Sequence, residues 1–391
     1  MRVTLGKHTV AGFAEIHAVQ RARYPAATPA WQPVHTVYVP ADRFSPDTVT
    51  DWGGQAMALL REHLPDPGTL SKVFSVSAET ADEVHDLVAR KLAAEPIEDL
   101  RVDFEDGYGL RPDQEDGDAA RAARAVAELY RAGALPRRWG LRVKSFADGD
   151  AARSTRTLDG FLTTLLDDLG ELPPGFTITF PKVLMEEYLH QFADFLGALE
   201  SALALPARLG FEIQVEAPQT VRFLRADLAE TLQGRLRAAH FGVFDYTAAL
   251  GLPPHEQRLD HPACDHARHQ MQTAFAGTGV ELCDGSLAAA PASADAADVH
   301  ALWRRHASLV GHSLAHGFYQ GWDMHPAHLV ARYATVYAFH LARYEEYATR
   351  ERAWSDQREA DGGVLDEPAT IKTLTAALLR ADLALGRQKR I

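Results

Sequence analysis

Glu216 and Asp245 are the residues around which chemistry can be built. Each stands at or near the carboxyl end of a β-rich run, FEIQVEAP (211–218) and AHFGVFDY (239–246), among apolar and small neighbours. Two carboxylates, completed by waters and substrate oxygens, suit Mg²⁺, which prefers six oxygen ligands and keeps part of its water. Arg142, in GLRVKS (140–145), adds a permanently charged fork for a substrate carboxylate or a developing oxyanion. Further charges gather at the same end of other runs: Asp103, Glu105 and Asp106; Lys144; Lys182; Asp284; and Asp323 with His325. Side chains alternate along a strand, so Glu212, Gln214 and Glu216 share one face, as do Asp103 and Glu105. Buried charge is costly unless it is paired or bound to a metal. For one strand, structural ion pairs are the better account; for seven strands charged at one end, a reaction site is.

The elements that must position these groups alternate. Eight short apolar or alternating runs cover 34–40, 100–106, 140–145, 176–183, 211–218, 239–246, 279–285 and 318–326. Helix-like segments such as ARAARAVAELYRAG and EEYLHQFADFLGALESALAL separate them. Eight strands each followed by a helix is the count that closes an α/β (β/α)₈ TIM barrel, with an open doubly wound sheet as the competitor. Charge at the strand C-termini favours the barrel, because barrel enzymes carry their reactive groups there. The organisation read from the chain is an N-terminal extension over 1–33, a barrel over 34–349 and a C-terminal helical lid segment over 350–391. The first β-to-α connection, about 41–99, is long enough to contain helices of its own.

Other classes are disfavoured. The net charge of −13 argues against a phosphate-backbone binder. No stretch approaches the roughly 18 apolar residues of a membrane span, and the amino end lacks a secretory h-region. The two cysteines, Cys264 and Cys283, form no metal quartet, and they fit a reducing cytoplasm as half-buried thiols. HPACDHARHQ sets His261, Asp265 and His269 at i, i+4 spacing, a potential metal face without the further ligand of a metalloprotease motif. GHSLA (311–315) has Ala315 where a nucleophile elbow needs glycine. Neither GxGxxG nor GxxxxGK[ST] occurs.

VYVPADRF and VDFEDGYGLRPDQEDGDAARAA resemble the opening of the citrate lyase β-subunit and malyl-CoA lyase group, within the HpcH/HpaI aldolase superfamily. The similarity runs on in order through LRVKS, FPKV, IQVEAPQTV, FGVFDYTAALG, GVELCDG, MHP and LDEPATIKTLTAALLRA, covering most of 34–385. The resemblance implies a TIM barrel holding Mg²⁺ (or Mn²⁺) through Glu216 and Asp245, with Arg142 on the substrate's keto or carboxylate oxygen. It also implies that Glu105 and Asp106 form an acidic pair supporting the arginine and the metal's water shell. Lys182 joins them among the substrate-binding residues, and Asp366 would be the lid acid/base, given by a neighbouring subunit of a homotrimer or hexamer. The chain departs from the family at Gly321-Trp322-Asp323-Met324, which lacks the lysine of Gly-Lys-Trp, and at Lys144-Ser145, where asparagine is common.

The expected activity is carbon–carbon lysis or synthesis of the aldol or Claisen kind, on a small 2-oxo acid or a 3-hydroxyacyl-CoA thioester. A CoA-independent oxo-acid aldolase and a malate synthase-like condensation are the enzymatic alternatives. A non-catalytic carboxylate-binding barrel, or a subunit of a lyase complex, is the reading of another class.

Overall fold

The computed structural model describes residues 10–25, 28–356 and 367–387. Helix α1 (Phe13–Arg23) precedes strand β1 (His35–Pro40), and the long first connection holds α2 (Thr48–His63), α3 (Pro67–Phe74) and α4 (Ala78–Ala94). There follow β2 (Asp99–Asp103), α5 (Pro112–Arg131), β3 (Arg138–Arg142), α6 (Ala151–Leu169), β4 (Phe176–Phe180) and α7 (Glu186–Ala202). Next come β5 (Phe211–Val215), α8 (Pro218–Phe223), α9 (Leu228–Thr231), β6 (Leu236–Phe241), α10 (Val243–Ala249) and α11 (Pro262–Phe275). β7 (Glu281–Cys283), α12 (Ala296–Ala315), β8 (Gly321–Asp323) and α13 (Pro326–Leu341) complete the alternation. Two helices, α14 (Tyr344–Ser355) and α15 (Pro368–Ala384), close the described chain.

Local signals set the helix starts. Proline occupies the first turn of α5, α11, α13 and α15, where its missing N–H costs nothing. Asp150 accepts from Arg153 N at 3.1 Å to cap α6. His261 and His325 cap α11 and α13 through their Nδ1 atoms, each 3.1 Å from a backbone N–H. His261 therefore takes no part in a metal face.

The eight strands are parallel and ordered β7-β6-β5-β4-β3-β2-β1-β8. Between β7 and β8, Asp284 N donates to Gln320 O at 2.8 Å and Trp322 N to Gly285 O at 3.1 Å. These bonds bring the ends of the sheet together, and the architecture is an α/β (β/α)₈ TIM barrel. Gly140 is required by close approach: a Cβ there would lie 1.6 Å from the Thr177 carbonyl oxygen on β4.

Val37, Val39, Leu100, Val102, Leu141, Ile178, Ile213 and Phe241 are buried in the apolar layer between sheet and helices. Each such side chain contributes about 1.5–3 kcal/mol on burial. The alternate positions face the barrel interior. Bulky branched side chains usually fill that space, but here it holds ion pairs. Fully buried Arg101 reaches Glu212 at 2.8 Å, Thr179 at 3.0 Å and also Asp99. His240 stands 3.2 Å from Glu212. Burial alone would raise the Glu212 carboxyl, yet Arg101 and His240 hold it well below the usual range. Across the lower end of the barrel, Arg138 of β3 pairs with Glu281 of β7.

Three sequence readings are corrected here. The run 239–246 is not one strand: β6 ends at Phe241, and Gly242 begins α10. Cys264 and Cys283 are fully buried, not half-buried. Asp284 and Asp323 do not face the barrel mouth. Asp284, just past β7, and Asp323, the last residue of β8, meet the helix layer, Asp284 at Arg268 (2.9 Å) and Asp323 at Arg332 (2.9 Å), His35 and His306 (both 2.9 Å).

Burial lowers the affinity of four described histidines for protons: His306, His325, His328 and His340, the last to about 4. Below the free-histidine value near 6.5 the unfolded chain binds protons that the folded chain refuses. The part of stability that these histidines govern must therefore fall as pH drops from about 6.5 towards 4, by about 1.4 kcal/mol per pH unit for each histidine involved. Urea midpoints of the parent and of His340→Gln at pH 7.5, 6 and 5 check this: the variant should gain on the parent as pH falls, and parallel pH profiles would refute it.

Candidate active site

The carboxyl ends of β2 to β6 place six of the expected site residues, Glu105, Asp106, Arg142, Lys182, Glu216 and Asp245, on one rim. Arg142 ends β3 and lies opposite Asp103, the last residue of β2, in register. Its guanidinium grips Asp103 with two bonds, Nε to Oδ1 and Nη2 to Oδ2, both 2.6 Å. Asp103 is locked in turn by the backbone N–H groups of Glu105 and Gly107, both 2.9 Å away. The remaining Nη1 atom of Arg142 faces Glu105 at 3.3 Å. The arginine fork is thus held by Asp103 on its Nε/Nη2 side, while Nη1 makes only the longer contact with Glu105 and is the edge a substrate oxygen could share.

Lys182, just past β4, adopts a left-handed backbone (φ 47°), a conformation costing a residue with a Cβ about 1–3 kcal/mol. The turn has a purpose in the geometry. It sends the Lys182 N–H to Glu216 Oε1 at 2.5 Å while the ammonium bridges Glu105 and Asp106. Burial pushes the Glu105 carboxyl up to about 7, helped by Asp106 and opposed by Arg142 and Lys182. Burial also acts to raise Asp106, but its contacts with Lys182 outweigh that and leave it low.

Glu216 follows β5 directly and is 4% exposed. Burial pushes its carboxyl up to about 8, and the charges of Glu105 and Asp245 add to the shift against the pull of Arg142. Gly242, opening α10, makes room for it: a Cβ at Gly242 would lie 2.5 Å from the Glu216 Cβ and 2.7 Å from Oε2. Among the described residues nothing donates a hydrogen bond to Oε2. Asp245 sits in the first turn of α10, on the neighbouring β/α unit, and is exposed. Glu216 and Asp245 therefore share a rim, one sheltered and one at the solvent edge.

This donor set fits a hard divalent cation. Two cations, Arg142 and Lys182, face five carboxylates: Asp103, Glu105, Asp106, Glu216 and Asp245. An uncompensated buried carboxylate of this kind is disfavoured as an anion, and oxygen ligands with access to water are what Mg²⁺ takes. Asp366 lies outside the described residues.

A second group lies directly below, of which the sequence had indicated only Gln214, on the face of Glu216. Tyr38, Gln214, His240 and Trp322 face the barrel interior, and the Tyr38 hydroxyl, both Gln214 amide atoms, His240 Nδ1 and Trp322 Nε1 are buried without a partner among the described residues. The Tyr38 and Trp322 rings lie 4.8 Å apart, and Arg142 stands 4.9 Å over Tyr38. Alternation along HTVYVP was the available signal, since it puts Tyr38 on the interior face with Thr36.

The fold is similar to that of TIM-barrel proteins solved as a citrate lyase and as malate synthases. A citrate lyase from Burkholderia xenovorans superposes with a TM-score of 0.61 at 18% identity, covering 93% of this chain and 95% of that one. A malate synthase of Haloferax volcanii, crystallised with glyoxylate, gives 0.51 at 13% identity, over 89% of this chain and 96% of that one. The same enzyme as a pyruvate/acetyl-CoA ternary complex gives 0.50 at 12%, over 88% and 89%. At these identities the likeness is one of fold. The chain belongs to the family described as a domain of unknown function, DUF6986, whose model matches residues 13–386. A search of curated proteins returns no significant match. No described helix is long and apolar enough to cross a membrane.

Proposed function

We propose that the protein is a Mg²⁺-dependent carbon–carbon lyase or synthase acting on a small 2-oxo acid, alone or with a CoA thioester. The observation that carries this reading is the Glu216 carboxyl, buried beside Arg142 and raised to about 8 by its surroundings and by Glu105 and Asp245. The citrate lyase and malate synthase likenesses support the reaction class, and one of those structures holds pyruvate with acetyl-CoA.

Glu216 and Asp245 would hold the ion. Bound there, Mg²⁺ supplies a Lewis acid and a template for the carboxylate and adjacent oxygen of a 2-oxo acid. The chain's own part is positioning and electrostatics. Asp103 aims the Arg142 Nη1 edge over the mouth, where it meets negative charge as it develops. Lys182 fixes Glu216 through its N–H and the Glu105–Asp106 pair through its ammonium. The hydroxyl, amide and indole donors of Tyr38, Gln214 and Trp322 receive whatever oxygen enters the throat. Asp366, as lid acid/base from a neighbouring subunit of a trimer or hexamer, belongs to the same reading.

The test is turnover with Mg²⁺ on glyoxylate plus acetyl-CoA, set against aldol cleavage and formation with free 2-oxo acids such as pyruvate. Turnover of any of these that stops on chelation and returns with Mg²⁺ is expected. Binding of metal and oxo acid without turnover in any direction would overturn the enzymatic reading in favour of a carboxylate-binding barrel.

A further inference from the structure

Asp265 does not share a ligand face with His261; it meets two histidines from another helix. Asp265 lies in the first turn of α11, and His312 and His316 stand one turn apart at the carboxyl end of α12. Nε2 of His312 is 3.0 Å from Asp265 Oδ1 and Nε2 of His316 is 3.6 Å from the same oxygen. One donor atom from each residue lies within 4.8 Å of the other two. The two imidazoles are 4.4 Å apart.

We propose that these three residues form a binding site for a borderline divalent transition-metal ion of the zinc class, separate from the Mg²⁺ site at the barrel mouth. Two imidazoles and one carboxylate, with water completing the shell, are a ligand set such ions take and Mg²⁺ does not favour.

The surroundings already do what outer partners do in metal sites. His316 Nδ1 is 2.9 Å from the His312 carbonyl and donates to it, which leaves Nε2 as the lone-pair nitrogen. Arg268 donates to Asp265 Oδ1 at 2.7 Å and holds that carboxylate in place. The arginine is shared: it also pairs with buried Asp284 at 2.9 Å, and its Nη1 lies 3.5 Å from His312 Nε2, so an ion entering here would displace Nη1 from that nitrogen. Among the described residues nothing donates to Asp265 Oδ2. Side-chain exposures of 26%, 27% and 25% for His312, Asp265 and His316 leave the site open to an ion from solvent.

The placement gives the ion a structural consequence. α11 precedes β7 and α12 follows it, and β7 has three residues. An ion held by both helices staples them across the shortest part of the wall.

The test uses untagged full-length protein, stripped with chelator and titrated with Co²⁺ and Zn²⁺ in the absence of Mg²⁺. One equivalent of Co²⁺ is expected to bind with the visible absorption of a low-coordinate N/O site. Zn²⁺ at a hundredfold excess over its Kd is expected to raise Tm by about 3 °C or more. His316→Ala and Asp265→Asn should each weaken binding at least 100-fold, with ion-free far-UV spectra unchanged, while Glu216→Gln keeps both the spectrum and the Tm shift. Failure of the wild-type protein to bind Co²⁺, retention of the spectrum in the His312→Ala/His316→Ala double variant, or its loss in Glu216→Gln would overturn the proposal. The mouth site can fail without touching this one, because the readouts are separate.

Discussion

Glu216→Gln is expected to cut Mg²⁺-dependent turnover by about 10³-fold while making the ion-free protein more stable. Outer partners of a bound metal typically cost 10–100-fold when removed, and a direct ligand lies above that range. The stability gain follows from the sign of the shift. The folded carboxyl takes up its proton near 8, whereas in an unfolded chain it does so near 4.3. Between those values the unfolded chain has lost a proton that the folded chain keeps, so folding becomes less favourable as pH rises and the penalty is complete above 8. Glutamine is uncharged, near-identical in shape, and keeps an oxygen for the Lys182 N–H. A gain on the order of 2 kcal/mol is expected at pH 8.5, falling to nothing near pH 4. Parallel urea melts and kinetics check both halves. A variant that is inactive but also less stable at pH 8.5 would mean that Glu216 serves the fold rather than an ion.

Arg101→Met should be the most damaging single change in the barrel. The guanidinium is wholly buried and joins Asp99, Thr179 and Glu212. Methionine fills much of the space but leaves two carboxylates in the interior without their cation. Removing one partner of a buried network costs about 3–5 kcal/mol, a large share of what a folded protein has in reserve. The expected result is insoluble protein, or a Tm lowered by about 4–6 °C. Asp99→Asn and Glu212→Gln introduced alongside should recover much of the loss, because the charges needing an answer are then gone. Loss that persists undiminished in the triple variant would show that packing volume, not charge, is what Arg101 provides.

The strands β2 to β6 were legible because their outward faces are apolar and the runs are bounded by turn residues. The order of strands followed from the βα alternation. Glu216 was legible too, since a carboxylate after an alternating apolar strand has few other uses. Asp245 was assigned to a strand because VF-D-Y continues an apolar pattern; Gly242 breaks it, and nothing but the packing against Glu216 tells why that glycine is there. Asp284 and Asp323 looked like mouth residues because strand length decides which way a terminal side chain points, and three-residue strands turned both towards the helices. Arg101 and Glu212 resemble site charges in a one-dimensional reading. Their partner, each other across two intervening strands, exists only once the barrel is closed. Gln214 was legible on the Glu216 face, but the other throat residues Tyr38, His240 and Trp322 were hidden for the same reason, being far apart in the chain and of types common in any core.

The ion pairs that fill the barrel also bear on how it can be assembled. Arg101 comes from β2 and Glu212 from β5, with Thr179 of β4 between them, and Arg138 of β3 finds Glu281 only on β7. A sheet of the first four strands would leave Arg101 with Asp99 alone as counter-charge and Arg138 without Glu281. Intermediates made of the first four strands are penalised for that reason, and the molecule gains its electrostatic balance late and all together. An interior of aliphatic side chains would let halves accrete one at a time; this one makes closure of the ring a cooperative event.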